Sequence, residues 1–203
     1  MQHRILIMKN IAVFCGSAMG GKDVYREKAY LLGKLFAKNG LTLIYGAGNI
    51  GLMGVIADSV LEEKGKVTGV IPRRLVDVEV AHRNLSTMHV VESMSERKTL
   101  IYELSDAFLI LPGGYGTLDE FFEMLTLSQL GISKKPIGIF NIEGYFDKLL
   151  ELFDHFIAER FIRPEHKQLF FVSDDETELI ARLMTFEPPE TTKWLENFKH
   201  TKF

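Results

Sequence analysis

The chain has 203 residues, of which 46% are hydrophobic and 25% charged, and its formal net charge at pH 7 is −3. This composition is typical of one folded globular domain, not of a disordered, fibrous or membrane-spanning chain. The slightly acidic balance gives no broad positive field, so we expect no nucleic-acid partner and no membrane partner. Cys15 is the only cysteine. It cannot form a disulfide within the chain, which favours a reducing compartment, and we therefore expect a cytoplasmic protein.

Short apolar runs alternate with amphipathic helical patterns along the sequence. Strands are predicted at residues 11–15, 41–45, 67–71, 87–91, 107–111, 137–140 and 170–172. Helices are predicted at 23–38 and 145–159, with four others ending near residues 64, 104, 130 and 184. This alternation with short links predicts an α/β fold: a doubly wound, mostly parallel Rossmann-like sheet of about seven strands in a single domain. We expect that domain to span residues 1–186, followed by a tail at 187–203.

Polar residues mark several of the predicted helix starts. Ser93 or Ser95 would cap the helix that ends near residue 104, and Thr117 would cap the helix that ends near residue 130. Ser173 or Asp174 would cap the last helix.

Three predicted strands end in glycine-rich turns, which read GSAMGG, GAGNIGLMG and PGGYGT and begin at residues 16, 46 and 112. Glycine allows positive φ and lets a ligand approach the backbone closely. A helix start that follows such a turn offers unpaired N–H groups to a phosphate. The carboxyl ends of parallel strands share one edge of the sheet. Together the three turns predict an anion site at that edge.

The segment 46–51 also matches the GxGxxG pattern, which taken alone is weak support for a dinucleotide site. The pattern follows the second strand here, although the dinucleotide fingerprint normally follows the first. Arg73 and Arg74, after the third strand, would suit the 2′-phosphate of NADP. An NADP-dependent reductase therefore stays open as an alternative.

Charged residues lie beside the third turn and at another helix start. Glu120 projects from the first helical turn after PGGYGT, where the helix dipole alone favours a carboxylate and where it would also face the sugar of a bound phosphate ester. Arg97 and Lys98 lie at the start of the helix at 95–103, a position that the dipole disfavours for cations. They would contact a ligand or a carboxylate, or else form a solvated charged face.

In this order the motifs resemble the LOG family, the cytokinin-activating phosphoribohydrolases, whose members have also carried the label "lysine decarboxylase-like". The resemblance runs from Cys15 to at least Phe161. It is carried by Cys15-Gly16-Ser17, GAGNIGLMG, the Glu-Arg-Lys of 96–98, PGGYGTLDE and LTLSQLGISKKPIG at 125–138.

The resemblance implies a homodimer that hydrolyses the N-glycosidic bond of a purine 5′-monophosphate, either a cytokinin riboside or an adenosine monophosphate. The products would be the free base and ribose 5-phosphate. Arg97 and Glu120 would be catalytic, and neither a metal nor a cofactor is expected. The expected substrate-binding residues are Ser17, Gly46, Gly48, Glu79, Lys98, Gly113, Gly114, Tyr115, Gly116, Thr117, Leu118, Asp119 and Thr126.

The sequence departs from the family pattern at two positions. Ala47 stands where glycine is usual, and Ser95 stands where a histidine before the acidic residue and arginine is common. The second departure bears on base recognition.

Two further functions stay open at this point. A nucleotide or molybdenum-cofactor carrier of the same fold would bind its ligand without chemistry. An amino-acid decarboxylase would need a pyridoxal phosphate lysine, for which Lys98 is the candidate near the site.

Overall fold

The computed structural model describes residues 8–76 and 81–189. Its strands are β1 Asn10–Phe14, β2 Thr42–Tyr45, β3 Lys66–Pro72, β4 Thr87–Val91, β5 Ala107–Ile110, β6 Ile137–Phe140 and β7 Phe171–Ser173. Its helices are α1 Asp23–Lys38, α2 Gly51–Glu62, α3 Met94–Leu104, α4 Tyr115–Gln129, α5 Asp147–Ala158 and α6 Glu176–Thr185. Short 3₁₀ turns lie at Arg73–Leu75, Ile142–Gly144 and Pro164–Leu169.

The seven strands form one sheet in the order β4-β3-β2-β1-β5-β6-β7, and each pair of neighbouring strands is parallel. The chain runs outward from β1 to β4 and then returns to β5 on the other side of β1. The direction of winding therefore reverses between β1 and β5, where Val13 pairs with Leu109. This topology confirms the predicted doubly wound, Rossmann-like α/β fold, and it opens a crevice at the carboxyl ends of β1 and β5.

Helices cover both faces of the sheet. One apolar cluster joins α1, α2 and α6 to the sheet, and a second joins α3, α4 and α5. Alternate residues of β1 point to the two clusters, with Val13 in the first and Phe14 in the second. Burial on both faces explains the unbroken apolar runs of the central strands, because neither side of these strands meets water.

The start of α3 follows one of the two predicted alternatives. Ser93 caps the helix, and its hydroxyl accepts a hydrogen bond from the Glu96 N–H at 3.1 Å. Ser95 lies inside the helix.

The predicted cap of α6 was wrong. The cap is Asp175, whose carboxylate accepts hydrogen bonds from the N–H groups of Thr177 and Glu178. Strand β7 runs through Ser173, so the chain needs further residues before it can turn into the helix. Ser173 instead accepts a hydrogen bond from the Asp175 N–H at 3.2 Å.

The prediction that Thr117 caps α4 was also wrong. The helix begins at Tyr115 with Gly114 as its cap residue, so Thr117 lies within the first turn and is buried. A glycine cap leaves the first N–H groups of the helix without a side-chain partner from the cap residue.

Two other helix ends differ from the sequence-based bounds. Helix α2 ends at Glu62, two residues earlier than predicted, and Lys64 adopts the left-handed conformation with φ of 58°. Helix α5 begins at Asp147, two residues later than predicted, because residues 142–144 form a 3₁₀ turn.

Within the described ranges, no helix combines the length and the apolar character that crossing a membrane requires. Most of the predicted tail, from residue 190 onward, lies outside the described residues, as does Glu79.

Candidate active site

A backbone hydrogen bond between two of the glycine-rich turns spans the crevice between β1 and β5. The Gly16 N–H donates to the Pro112 carbonyl oxygen at 3.0 Å. A Cβ atom at Gly113 would lie 2.8 Å from the Gly16 nitrogen, closer than real Cβ contacts, so the approach of the two turns requires glycine at position 113. A cavity of about 280 Å³ opens beside the contact; it is lined by Gly16, Ser17, Ala18, Met19, Gly20, Tyr25, Leu52, Pro112, Gly113, Gly114 and Tyr145.

The turn that follows β2 packs closely against the turn that follows β1. Gly51 has φ of +59°, and a Cβ atom there would collide with the backbone of Ser17 and Ala18. The Leu52 N–H donates to the Gly16 carbonyl oxygen at 3.0 Å. The last glycine of the GxGxxG segment thus serves close packing between the two turns. Arg73, a residue of the NADP interpretation, is exposed and pairs with Glu92 at 3.2 Å.

Arg97 is the most buried cationic side chain of the site, with 5% of its surface exposed. Its Nη2 donates to the Gly46 carbonyl oxygen at 2.9 Å, and its Nη1 contacts the Met94 sulfur at 3.7 Å. A Cβ atom at Gly46 would collide with the guanidinium. The interpretation of Arg97 as part of a solvated face was therefore wrong, since the side chain is held beneath the turn that follows β2.

Residues 81 and 82 cover this second turn. Gly48 and Ala81 form an isolated antiparallel bridge, and the His82 N–H donates to the Ala47 carbonyl oxygen at 2.9 Å. Ala47 adopts φ of 61°, the left-handed region that suits glycine. Alanine thus occupies a strained position where the family pattern has glycine.

Glu120 lies on α4 and is half-buried. Burial and, after it, the negative charge of Glu120 raise the pKa of the Cys15 thiol, which places the carboxylate near the end of β1. Arg97 is anchored at the end of β2, the neighbouring strand. The structure thus brings the two predicted catalytic side chains to adjacent strand ends, although they are 23 residues apart in sequence.

The predicted phosphate loop forms the N-terminus of α4. Cβ atoms at Gly114 and Gly116 would meet open space, so the backbone there is accessible to a ligand. Thr117 is buried against Gly113. Tyr115 is 96% exposed and points to solvent. Leu118 packs against the apolar cluster beneath α4.

Lys98 joins α3 to α4 through two carboxylates. Its Nζ lies 2.8 Å from Glu123 and 3.2 Å from Asp119. The hydrogen bond with Glu123, followed by that with Asp119, raises the pKa of Lys98 despite partial desolvation. Lys98 and Asp119 are thus partners of each other in this structure.

Thr126 lies away from the crevice. It follows Glu120 by six residues, which corresponds to about 9 Å along the helix axis and a different helix face. Its hydroxyl donates to the Phe122 carbonyl oxygen at 2.7 Å, and the residue lines a separate apolar cavity between α4 and α5. The structure therefore does not group Thr126 with Arg97 and Glu120.

Sequence reasoning missed two aromatic residues that line the crevice. Tyr25 on α1 and Tyr145 after β6 meet edge to face, with ring centroids 5.7 Å apart. The sequence could have indicated Tyr145 as a site residue, because it follows a predicted parallel strand and so belongs to the same sheet edge as the glycine-rich turns.

Comparison with known proteins places the chain in a family. The family model described as "Possible lysine decarboxylase" matches residues 53–183. A probable cytokinin riboside 5′-monophosphate phosphoribohydrolase of Oryza sativa subsp. japonica is 43% identical over 173 residues, covering 85% of this chain and 78% of the relative. A cytokinin riboside 5′-monophosphate phosphoribohydrolase of Arabidopsis thaliana is 39% identical over 180 residues, covering 89% and 79%. The chain belongs to the LOG family.

Solved structures with low sequence identity share the fold of this LOG-family chain. The molybdenum cofactor binding protein of Rippkaea orientalis superimposes with a TM-score of 0.67 at 19% identity, covering 89% of this chain and 98% of that protein. A molybdenum cofactor carrier protein of Chlamydomonas reinhardtii gives 0.66 at 20% identity, covering 88% and 97%. At such identities the likeness describes the architecture alone.

The decarboxylase description of the family implies pyridoxal phosphate, and the residues present do not fit that group. A Schiff-base lysine needs a lowered pKa to supply a neutral amine. The pKa of Lys98 is raised instead, because two carboxylates hold its ammonium form. No step through pyridoxal phosphate follows from this site. Among the residues that the structure describes, no cluster of three or more His, Cys, Asp or Glu side chains could hold a metal ion.

Proposed function

We propose that this LOG-family chain hydrolyses the N-glycosidic bond of a purine nucleoside 5′-monophosphate, the cytokinin riboside or adenosine type, to the free base and ribose 5-phosphate. The observation that carries the proposal is the juxtaposition at the carboxyl edge of the sheet. A buried Arg97, a half-buried Glu120 and the glycine-rich N-terminus of α4 lie at neighbouring strand ends there. The relatives that share about 40% of the sequence carry that activity in their names.

The substrate phosphate would bind at the N-terminus of α4, where backbone N–H groups and the helix dipole favour an anion. Gly113, Gly114 and Gly116 would supply close backbone approach, and the buried Thr117 would support the turn from below. Ser17 lines the same cavity and would contact the sugar phosphate from the side of β1.

Glu120 would act on the ribose. Cleavage of the bond between C1′ and the base leaves its electron pair on the base nitrogen and builds positive charge on the sugar, which a carboxylate stabilises. Water then adds to C1′, Glu120 accepts its proton, and the proton passes to the base nitrogen. Arg97, whose position is fixed by the Gly46 carbonyl oxygen, would bind the ribose or phosphate oxygens.

The remaining residues implied by the resemblance would surround the substrate. Gly46 would act by holding Arg97, and Gly48 by holding the second turn against Ala81. Lys98 and Asp119 form an ion pair beside Glu120 on α4 and would shape the local charge. Thr126 would contact the substrate only if the substrate extended beyond the crevice or another segment approached it. Glu79 lies outside the described residues, and the resemblance alone assigns it to the substrate.

The Glu120→Gln variant tests this function. We expect release of free adenine from AMP to fall by about 10³-fold or more, because the amide supplies neither the charge nor the proton acceptor. The measurement is chromatographic quantification of adenine, with circular dichroism to show that the fold persists. Glu151→Gln is the matched control, since Glu151 is exposed on α5 and pairs with Lys148 at 2.9 Å. Full activity in Glu120→Gln would contradict the catalytic role of Glu120.

We also propose that the protein is a cytoplasmic homodimer, as the resemblance implies. Ile132 is 65% exposed and Phe161 is 83% exposed, and a contact between subunits would remove these large apolar side chains from water. Sedimentation velocity at assay concentrations would give twice the 23.1 kDa chain mass. A purely monomeric sample that is fully active would contradict the dimer.

A further inference from the structure

The turn between β6 and α5 is an unusually constrained segment at the edge of the crevice. Two successive residues, Glu143 and Gly144, adopt φ of 53° and 68°. The left-handed conformation is unfavourable for glutamate. The Asn141 side chain fixes the turn, because it accepts a hydrogen bond from the Phe146 N–H at 2.7 Å and donates one to Asp147 at 2.8 Å. Strain of this kind persists only where the surroundings determine the backbone, and such places cluster at functional sites.

The constrained turn positions the side chain of Tyr145 at the crevice. The Tyr145 hydroxyl donates to the Gly113 carbonyl oxygen at 2.6 Å. Its ring meets Tyr25 edge to face with centroids 5.7 Å apart, and meets Phe146 in the same way at 4.9 Å. Tyr145 therefore has a fixed ring and a fixed hydroxyl, and it lines the cavity beside Gly113 and Gly114.

The hydrogen bond sets the orientation of the peptide between Gly113 and Gly114. In a trans peptide the C=O and N–H groups point in opposite directions. Holding the Gly113 oxygen therefore fixes the direction of the Gly114 N–H, the first donor of the α4 N-terminus. Two consecutive glycines would otherwise let this peptide rotate, because neither carries a Cβ atom.

The preceding peptide is held by a second hydrogen bond from outside the loop. The Pro112 carbonyl oxygen accepts the Gly16 N–H at 3.0 Å. Two successive carbonyl groups of the loop thus accept hydrogen bonds from partners outside it, Gly16 after β1 and Tyr145 after β6. A loop fixed in this way needs no rearrangement when an anion binds, which lowers the entropic cost of binding.

We propose that Tyr145 is a positioning residue for the substrate phosphate, which acts through the Gly113–Gly114 peptide and not by contact with the reacting atoms. This inference rests on the proposed function, because the phosphate site is that of the proposed substrate. It adds the turn after β6 to the three glycine-rich turns of the site. It also assigns a purpose to the strained Glu143, which makes the sharp turn possible.

The Tyr145→Phe variant tests the proposal, because it keeps the ring contacts and removes only the hydroxyl. We measure the Kd of ribose 5-phosphate by calorimetry and the KM and kcat for AMP. Loss of one hydrogen bond predicts a rise of about threefold to tenfold in Kd and KM with little change in kcat. Tyr30→Phe is the matched control. It removes a comparable hydroxyl bond, to Glu62 at 2.8 Å, on the surface between α1 and α2.

The outcomes separate this proposal from the proposed function. An unchanged Kd for ribose 5-phosphate in Tyr145→Phe would overturn it, and so would a fall in kcat accompanied by a lower melting temperature, which would indicate a merely structural role. Wild-type protein that binds ribose 5-phosphate but releases no base would reject the hydrolase, while the Kd comparison would still decide the role of Tyr145. Wild-type protein that does not bind ribose 5-phosphate would overturn the positioning role itself.

Discussion

A glycine and an arginine far apart in sequence depend on each other in this site. Arg97 is buried, and a buried guanidinium needs hydrogen-bond acceptors close by. The Gly46 carbonyl oxygen is one of them, at 2.9 Å, and the guanidinium lies where a Cβ atom of residue 46 would have to be. Any larger residue at position 46 would therefore displace Arg97.

Gly46→Ala is expected to lower base release by about 100-fold, because displacing a catalytic group by about 1 Å can cost that much. Steady-state kinetics with AMP would measure the effect. The double variant Gly46→Ala/Arg97→Ala serves as the control, since the two changes remove the same interaction. The double variant should be no less active than Arg97→Ala alone. Additive losses would show that Gly46 acts by some other route.

Some of these site residues could be predicted from the sequence, but their partners could not. The motifs identified Arg97 and Glu120, and the structure places both at adjacent strand ends. The partners of Arg97 and Lys98 could not be predicted, because a contact between Arg97 and Gly46 spans 51 residues and depends on how α3 packs. The hydrogen bond of Tyr145 could not be predicted for the same reason, since its acceptor lies 32 residues earlier in the chain, although its position after a predicted strand indicated the correct edge of the sheet.

Element ends show how local chemistry and tertiary packing share control of this fold. The regular interiors of the helices and strands were predicted well, because apolar periodicity reports which face is buried. Helix starts were predicted less well. At α6 the strand before it extends through Ser173, and Asp175 becomes the cap in place of its neighbours. How far a strand pairs with its neighbour cannot be read from local sequence.

The end of α2 carries a residue that its conformation disfavours. Lys64 is exposed and has φ of 58°, so Lys64→Gly should raise the free energy of unfolding by about 0.5–1 kcal/mol. Urea denaturation followed by circular dichroism would measure the change. Lys64→Ala is the control, because it removes the charge and keeps the Cβ atom, and it should leave stability within about 0.5 kcal/mol. Equal stabilisation by both variants would mean that the backbone conformation is not the cause.

The topology of the whole sheet explains why motifs that are far apart in the sequence form one site. Residues of four turns, after β1, β2, β5 and β6, meet because parallel strands deliver all their carboxyl ends to one edge. The alternation of strands and helices predicted this edge, and the strand order β2-β1-β5 puts the crevice between Gly16 and Pro112. Strand order itself could not be deduced from the sequence, because local patterns carry no information on which strands become neighbours.

The central claim is that the protein cleaves nucleoside 5′-monophosphates, and base release by the wild-type protein tests it most directly. Purified protein would be incubated with AMP, isopentenyladenosine monophosphate and the two dephosphorylated nucleosides, and free base would be quantified by chromatography. The phosphate site at the N-terminus of α4 predicts release from the monophosphates and negligible release from the nucleosides. Equal release from both classes would contradict the phosphate site. No release from any of them, with nucleotide binding retained, would contradict the hydrolase and indicate a carrier.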